Sequence, residues 1–268
     1  MQKSKCACFR LKSGTNTDDV WSKLEEIGIQ PLYSSEDEIG SPEIYANIPS
    51  HIDPHSLQHF TGVNEIIVTP LPEIDWENQW ALHGLDFRDG YVHIPVGLQT
   101  IRLKPGPGFG DLSHPTTRLM LEMMPSYVHD KNIIDIGSGS GVLSLCAIAM
   151  RAVSAEGLEI DPEAMEHAQM NAILNHMQEK VTFSLSKQTY RPIVPAPHTI
   201  LMNMIQSEQV VAWNSLPSLH HLSGCVCITS GILTPECEAY LKQTEDWGWI
   251  HQETKESEGW LAFRFLLR

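Results

Sequence analysis

The chain of 268 residues contains no apolar run that approaches the ~20 residues a membrane-crossing helix needs. Basic residues are scarce. Eighteen Lys and Arg face 33 Asp and Glu, for a formal net charge of −15. That shortage argues against a protein that grips a long nucleic-acid backbone, which requires a basic face. It suits either a basic partner drawn in by long-range attraction or plain solubility. The start, Met1-Gln2-Lys3-Ser4-Lys5, is basic, but Arg10 and Lys12 fall where a secretory leader needs its apolar stretch, so the expected location is cytoplasmic. The six cysteines, Cys6, Cys8, Cys146, Cys225, Cys227 and Cys237, include two Cys-x-Cys pairs in apolar, strand-like surroundings. They read as reduced, half-buried thiols rather than as metal or redox centres. His51, His55 and His59 recur at helical spacing around Asp53, but Pro54 marks a helix start that leaves His51 outside. No cysteine lies near them in sequence, and no metal is assigned.

The residues that are present organise around Ile133-Ile134-Asp135-Ile136-Gly137-Ser138-Gly139-Ser140-Gly141. An apolar strand runs into three alternate glycines, and the apolar segment Val142–Ala149 follows as a helix. Strand, glycine turn and helix form a nucleotide-binding βα unit. Glycine suits such a turn because no Cβ blocks a tight bend or the approach of a ligand. A dinucleotide fingerprint places its third glycine five positions after the first, where this chain has Val142. The tighter spacing resembles motif I of the class I S-adenosylmethionine-dependent methyltransferases. An acid that takes ribose hydroxyls is expected about 20 residues on, and Glu159 closes the next strand there. Asp161 then caps, and Pro162 opens, a further helix.

Read in order, residues 5–68 give β-α-β-β-α-β: strands at Cys6–Leu11, Ile29–Tyr33, Glu43–Ile48 and Val63–Val68, and helices at Thr17–Ile27 and Pro54–Phe60. That order is the ferredoxin-like, split-βαβ arrangement. Val20, Trp21, Leu24 and Ile27 form the inward face of the first helix, and Glu36-Asp37-Glu38 makes an acidic loop. Residues 1–70 are therefore read as a small α+β domain for docking substrate. Thr69-Pro70-Leu71-Pro72 ends it, residues 71–90 form a linker with a short helix at Asp75–Trp80, and residues 91–268 form the second domain. In that domain Tyr91–Pro95 and Leu98–Leu103 are short strands, and a Pro/Gly loop from Lys104 to Gly110 leads through Asp111–Thr117 into a helix at Arg118–Met124. Thr117 is placed to lend a hydroxyl to the ligand. The helix Pro162–His176 turns Ala164, Met165, Ala168 and Ile173 inward. Strands at Lys180–Leu185, His198–Met202 and Gly224–Thr229 follow, and Ser230–Leu233 turns into a helix at Pro235–Thr244. Trp249–Glu253 and Trp260–Leu266 form an antiparallel edge pair. The fold class is α/β: a doubly wound, mostly parallel, seven-stranded Rossmann-like sheet. Gly137, Glu159 and Asn203 all fall at the carboxyl ends of its strands.

Taken together, Asp75–Trp80, Pro105–Thr117, Ile134–Gly141, Leu158–Pro162, Met202–Ile205 and Ser230–Leu233 resemble the bacterial ribosomal protein L11 methyltransferases. The resemblance implies methyl transfer from S-adenosyl-L-methionine to lysine and N-terminal amines of that basic ribosomal protein, recognised through a ferredoxin-like N-terminal domain. By position it implies cofactor contacts at Thr117, Gly137, Gly139, Glu159 and Asn203. Asn203 is also the residue that positions the reacting groups, with no general base assigned. The chain departs from the family at Gly110-Asp111-Leu112-Ser113, where relatives usually carry Gly-Thr-Gly-Thr, and at Glu159, where many carry aspartate. Two other readings stay open at this point: methylation of RNA or a small metabolite, and a non-catalytic relative that only binds. The absence of a proline-rich tetrapeptide at Asn203–Ile205 weakens the first of these, and the altered loop motivates the second.

Overall fold

The computed structural model describes residues 5–36, 40–49, 52–57, 60–68, 86–110, 112–193 and 198–268. The expected linker helix at Asp75–Trp80, the prolines before it, Asp37, Glu38, His51, His59 and Asp111 lie outside these residues. The chain divides into two compact units, Met1–Ile74 and Asp75–Arg268.

The first unit is a four-stranded antiparallel sheet in the order β2-β3-β1-β4, from β1 (Lys5–Leu11), β2 (Gln30–Glu36), β3 (Pro42–Ile48) and β4 (Val63–Val68). Helix α1 (Thr17–Glu26) buries Val20 and Leu24 against Ala7, Phe9 and Leu11 of β1. It stops one residue before the expected end. Ile27 is turned outward, and Gly28 adopts φ +78° beyond it. Of the expected helix at Pro54–Phe60, the described residues give a 3₁₀ turn at Pro54–Leu57. β2 is longer than expected and takes in Glu36.

The second unit is built on a seven-stranded sheet in the order β10-β9-β8-β11-β12-β14-β13. Its strands are β8 (Asn132–Ile136), β9 (Ser154–Glu159), β10 (Val181–Leu185), β11 (His198–Asn203), β12 (Val226–Leu233), β13 (Trp249–Ser257) and β14 (Trp260–Leu267). The first five run parallel, and β14 pairs antiparallel with both β12 and β13. Every residue of β8 is buried because both faces of the sheet are covered. Successive residues alternate between two cores. Ile133 and Leu201 face helices α2 (Pro115–Met123), α4 (Val142–Ala149) and α5 (Pro162–Leu174), with the short α3 (Pro125–Val128) following α2. Ile134 and Met202 face Trp213 of α6 (Gln206–Ser215) and Tyr240 of α7 (Cys237–Asp246).

A separate antiparallel meander, β5 (Phe87–Arg88), β6 (Tyr91–Val96) and β7 (Gln99–Leu103), packs Val92, Ile94 and Leu103 into the first of these cores. Its outer strand is fastened to α5 by side chains. The backbone N–H of Arg102 donates to Asn175 Oδ1 at 2.9 Å, and Asn175 Nδ2 donates to the Arg102 carbonyl at 2.6 Å.

Three expectations are corrected here. α2 begins at Pro115 rather than Arg118: proline suits the first helical position, and the His114 ring accepts from Thr116 N–H at 3.3 Å as its cap. α5 buries Ala164, His167, Ala168, Asn171 and Ala172, whereas Ile173 is 59 % exposed. β12 does not turn at Ser230 but runs to Leu233 through an irregularity in its pairing with β14. No helix among the described residues is long and apolar enough to cross a membrane.

Candidate active site

The strand order reverses between β8 and β11, so the loops leaving their carboxyl ends diverge and open a crevice. A cavity of about 930 Å³ occupies it. Its floor includes Gly137 and Gly139 of the turn after β8, Glu159 at the end of β9, and Asn203 and Met204 at the end of β11. Phe109, His114 and Trp260 also line it, with the His114 ring edge-on to Phe109 at 5.5 Å and to Trp260 at 5.0 Å between centroids.

The three turn glycines have φ of +71°, +52° and +81°, a region that other L-residues rarely adopt. Neighbouring protein fills the space that their missing Cβ atoms leave. A Cβ on Gly137 would lie 2.2 Å from Met204 Cε, one on Gly139 2.5 Å from the Phe109 carbonyl oxygen, and one on Gly141 2.7 Å from the Phe183 ring. The glycines thus serve packing on one side, while Gly137 and Gly139 still border the cavity on the other.

Glu159 is 8 % exposed. Its Oε2 accepts from Gly139 N–H at 2.9 Å, and its Oε1 accepts from the N–H groups of Ile160 at 2.7 Å and Asp161 at 3.2 Å. One carboxylate therefore ties the glycine turn to the start of α5. Lone pairs of both oxygens remain for hydroxyls in the cavity.

Behind the turn, the buried Asp135 Oδ2 accepts from Ser144 N–H at 3.1 Å and from Ser144 Oγ at 2.7 Å, capping α4 from the neighbouring strand. Burial raises the Asp135 carboxyl to about 6; the two Ser144 hydrogen bonds oppose the shift, and the charge of Glu159 adds to it. The folded state thus favours the protonated acid. Its contribution to stability is full below the ordinary carboxylate value near 4 and is lost as pH rises through 6. Asp135→Asn keeps an oxygen for Ser144 and removes the titration. Urea unfolding of both proteins between pH 4 and 8 is expected to shift their difference toward the variant by ~3 kcal/mol. A difference that does not change with pH would refute this.

Sequence reasoning missed two groups of residues at the cavity. Ser186, Lys187 and Gln188, just past β10, line it. Their loop is held where Ser186 N–H donates to the Glu159 carbonyl at 2.6 Å, and where Glu156 accepts from Tyr190 OH at 2.7 Å and from Ile193 N–H at 2.9 Å. The signal available was position alone, the carboxyl end of a parallel strand. Glu208 of α6 also lines the cavity, and burial, with the charge of Glu159 behind it, pushes its carboxyl above the usual range. Of the residues singled out in the sequence, Gly137, Gly139, Glu159 and Asn203 come together in the cavity wall. Thr117 is fully buried outside that wall, its Oγ1 without a hydrogen-bond partner among the described residues, and Thr116 lines the cavity in its place.

A family model described as Ribosomal protein L11 methyltransferase (PrmA) matches residues 16–267. The chain belongs to the ribosomal protein L11 methyltransferase family. Membership assigns it to the S-adenosylmethionine-dependent methyltransferases, with the methyltransferase-like α/β fold and its mixed, mostly parallel central sheet. A ribosomal protein L11 methyltransferase from Bacillus cereus is 29 % identical over 233 residues, which are 82 % of this chain and 74 % of that protein. One from Bacillus anthracis is 28 % identical over the same shares. The crystal structure of a ribosomal protein L11 methylase from Lactobacillus delbrueckii subsp. bulgaricus superposes with a TM-score of 0.52 at 25 % identity, over 63 % of this chain and 85 % of that one.

Proposed function

We propose that this L11 methyltransferase family member transfers methyl groups from S-adenosylmethionine to lysine or N-terminal amines of ribosomal protein L11. The observation that carries the reading is the open cavity that joins Gly137, Gly139, Glu159 and Asn203 at the switch point of the sheet. When bound, the cofactor supplies a methyl group already activated on a sulfonium. The protein then contributes positioning. Glu159 accepts the ribose hydroxyls while its backbone bonds keep the turn in place. Asn203 orients the amine or the methionine portion of the cofactor with its side-chain amide.

An amine reacts only when neutral, and an unperturbed lysine near 10.4 must first lose a proton. Glu159, Asp161 and Glu208, against Lys187, give a mostly apolar wall a net acidic balance that draws the ammonium in. The proton passes to solvent through the open cavity, and no general base is assigned, although His114 and Glu208, whose carboxyl burial pushes up, stand in the wall. The net charge of −15 favours approach to a basic ribosomal protein in the cytoplasm.

We assign residues 1–70, with the sheet order β2-β3-β1-β4, as a ferredoxin-like domain that docks substrate, residues 71–90 as its linker and residues 91–268 as the catalytic domain. The departure at Leu112-Ser113 is compatible with an ordered site: Arg118 Nη1 donates to both carbonyls at 2.7 Å, and its Nη2 meets Glu258.

Incubating the protein with methyl-labelled cofactor and ribosomes from cells that lack this chain is expected to label L11. Label confined to RNA, or no label although the cofactor binds, would overturn the assignment.

A further inference from the structure

The Pro/Gly loop Lys104–Gly110 contributes Pro107 and Phe109 to the cavity wall, and it reaches the glycine turn through a histidine that the sequence reading passed over. His167, in the second turn of α5, is 1 % exposed. Its Nδ1 accepts from Gly108 N–H at 3.1 Å, and its Nε2 lies 2.6 Å from the Lys104 carbonyl oxygen. A backbone N–H can only donate and a carbonyl can only accept, so these two contacts favour the neutral ring with the proton on Nε2; Asn171 Nδ2, 3.3 Å from Nε2, gives its shorter bond to the Ser140 carbonyl.

Gly106 lies flat against this ring, where a Cβ would come within 2.6 Å of it. One turn along the helix, Asn171 Oδ1 accepts from Lys104 N–H at 2.9 Å and Asn171 Nδ2 donates to the Ser140 carbonyl at 2.9 Å. The far side of the loop is pinned to the same turn: Ser140 N–H donates to the Phe109 carbonyl and Ser140 Oγ to the Gly110 carbonyl, both at 2.8 Å.

We propose that His167 is a positioning residue that acts as a proton-sensitive latch on the cofactor site. Its neutral ring holds the Lys104–Gly110 loop on the glycine turn, and protonation of Nδ1 releases the loop. A proton on Nδ1 would set an N–H against the N–H of Gly108, so one buried donor loses its acceptor.

Among the described residues, Lys104 of the loop is a charged group that acts on the ring, the glycine turn brings Ser140, and the same helix brings Asn171. Burial, aided by Lys104, holds the ring below the ordinary histidine range despite its bond to the Lys104 carbonyl. The latch is therefore shut at neutral pH and opens on acidification.

This inference rests on the cofactor reading of the cavity, and the test separates the two. Calorimetric titration with S-adenosylhomocysteine at pH 8 decides the cofactor site, and failure to bind there sinks that reading first. Lowering pH is then expected to weaken binding by roughly tenfold per pH unit once the ring titrates. In His167→Asn, an amide oxygen keeps the bond to Gly108 without titrating. That variant gives up the bond to the Lys104 carbonyl, so it is expected to bind more weakly than the parent at pH 8 but to lose this part of the pH dependence. Asp135, Glu208 and His114 are unchanged in it, so the difference isolates His167. Two further readouts need no cofactor. Nitrogen chemical shifts should show the proton on Nε2, and the protection factor of the Gly108 amide, its exchange rate relative to an unstructured amide at the same pH, should fall as pH falls in the parent only. A proton on Nδ1 at pH 8, or equal pH dependence in parent and variant, would overturn the proposal.

Discussion

Glu159→Ala is expected to weaken cofactor binding severely and to weaken the fold. Three backbone N–H groups, those of Gly139, Ile160 and Asp161, lose their shared acceptor. Hydrogen bonds to a charged group contribute ~1.5–3 kcal/mol each, and two ribose hydroxyls would lose their partner as well. At 1.4 kcal/mol per factor of ten, the dissociation constant should rise at least about 100-fold. Because Ile160 and Asp161 lie at the more open start of α5, the stability loss should stay at about 2–4 kcal/mol. Glu159→Gln separates the two effects. One amide oxygen still serves the start of the helix, but the NH₂ group now meets either the Gly139 N–H or the ribose. Binding should fall about 10-fold or more with a smaller change in the urea midpoint. If Glu159→Ala bound S-adenosylhomocysteine like the parent, this carboxylate would have no part in holding the ligand.

Gly139→Ala should be nearly as damaging, for a steric reason. At φ +52° an alanine costs ~1–2 kcal/mol, and its Cβ would press on the Phe109 carbonyl at 2.5 Å, where backbone must yield. The yielding segment carries Pro107 and Phe109, so the cavity wall moves with it. A loss of about 2–4 kcal/mol in stability and at least tenfold in cofactor affinity is expected. Gly224→Ala is the matched control. It has φ +78° with open space around it, so it should lose only the conformational part and bind normally. Equal behaviour of the two variants would show that the contact with Phe109 is unimportant.

These residues differ in how openly the chain displays them. β8 declares itself because a strand covered on both faces is mostly apolar, here Ile133, Ile134 and Ile136, and the glycines after it break that run unmistakably. Glu159 follows from the length of one βα unit. The inner face of α5 could not be read the same way. Periodicity assumes that buried means apolar, which points to Ile173, yet this helix packs against backbone groups of β7 and the loop. Those groups need polar partners, so His167 and Asn171 go in and Ile173 goes out. Thr116 and Thr117 exchange places for a different reason. With the helix starting at Pro115 instead of Arg118, Thr117 belongs to the helix interior rather than to the approach loop. At Ser230, hydrophobicity cannot distinguish a bulged strand from a turn. The close approach of Gly231 to the Met204 backbone, where a Cβ would lie 2.3 Å from the Met204 carbonyl oxygen, is a tertiary fact.

The amide ladder on α5 also has a bearing on how the protein behaves in a crowd. β7 is an outer strand of its meander, and a bare strand margin is a template on which another polypeptide can add itself. Asn175 occupies both the N–H and the carbonyl of Arg102, and Asn171 occupies the N–H of Lys104. Over Arg102–Lys104 the margin is thus occupied by side chains of the same molecule. That stretch offers fewer free groups to an added strand, and it does so without a covering strand, a proline or a lysine fringe.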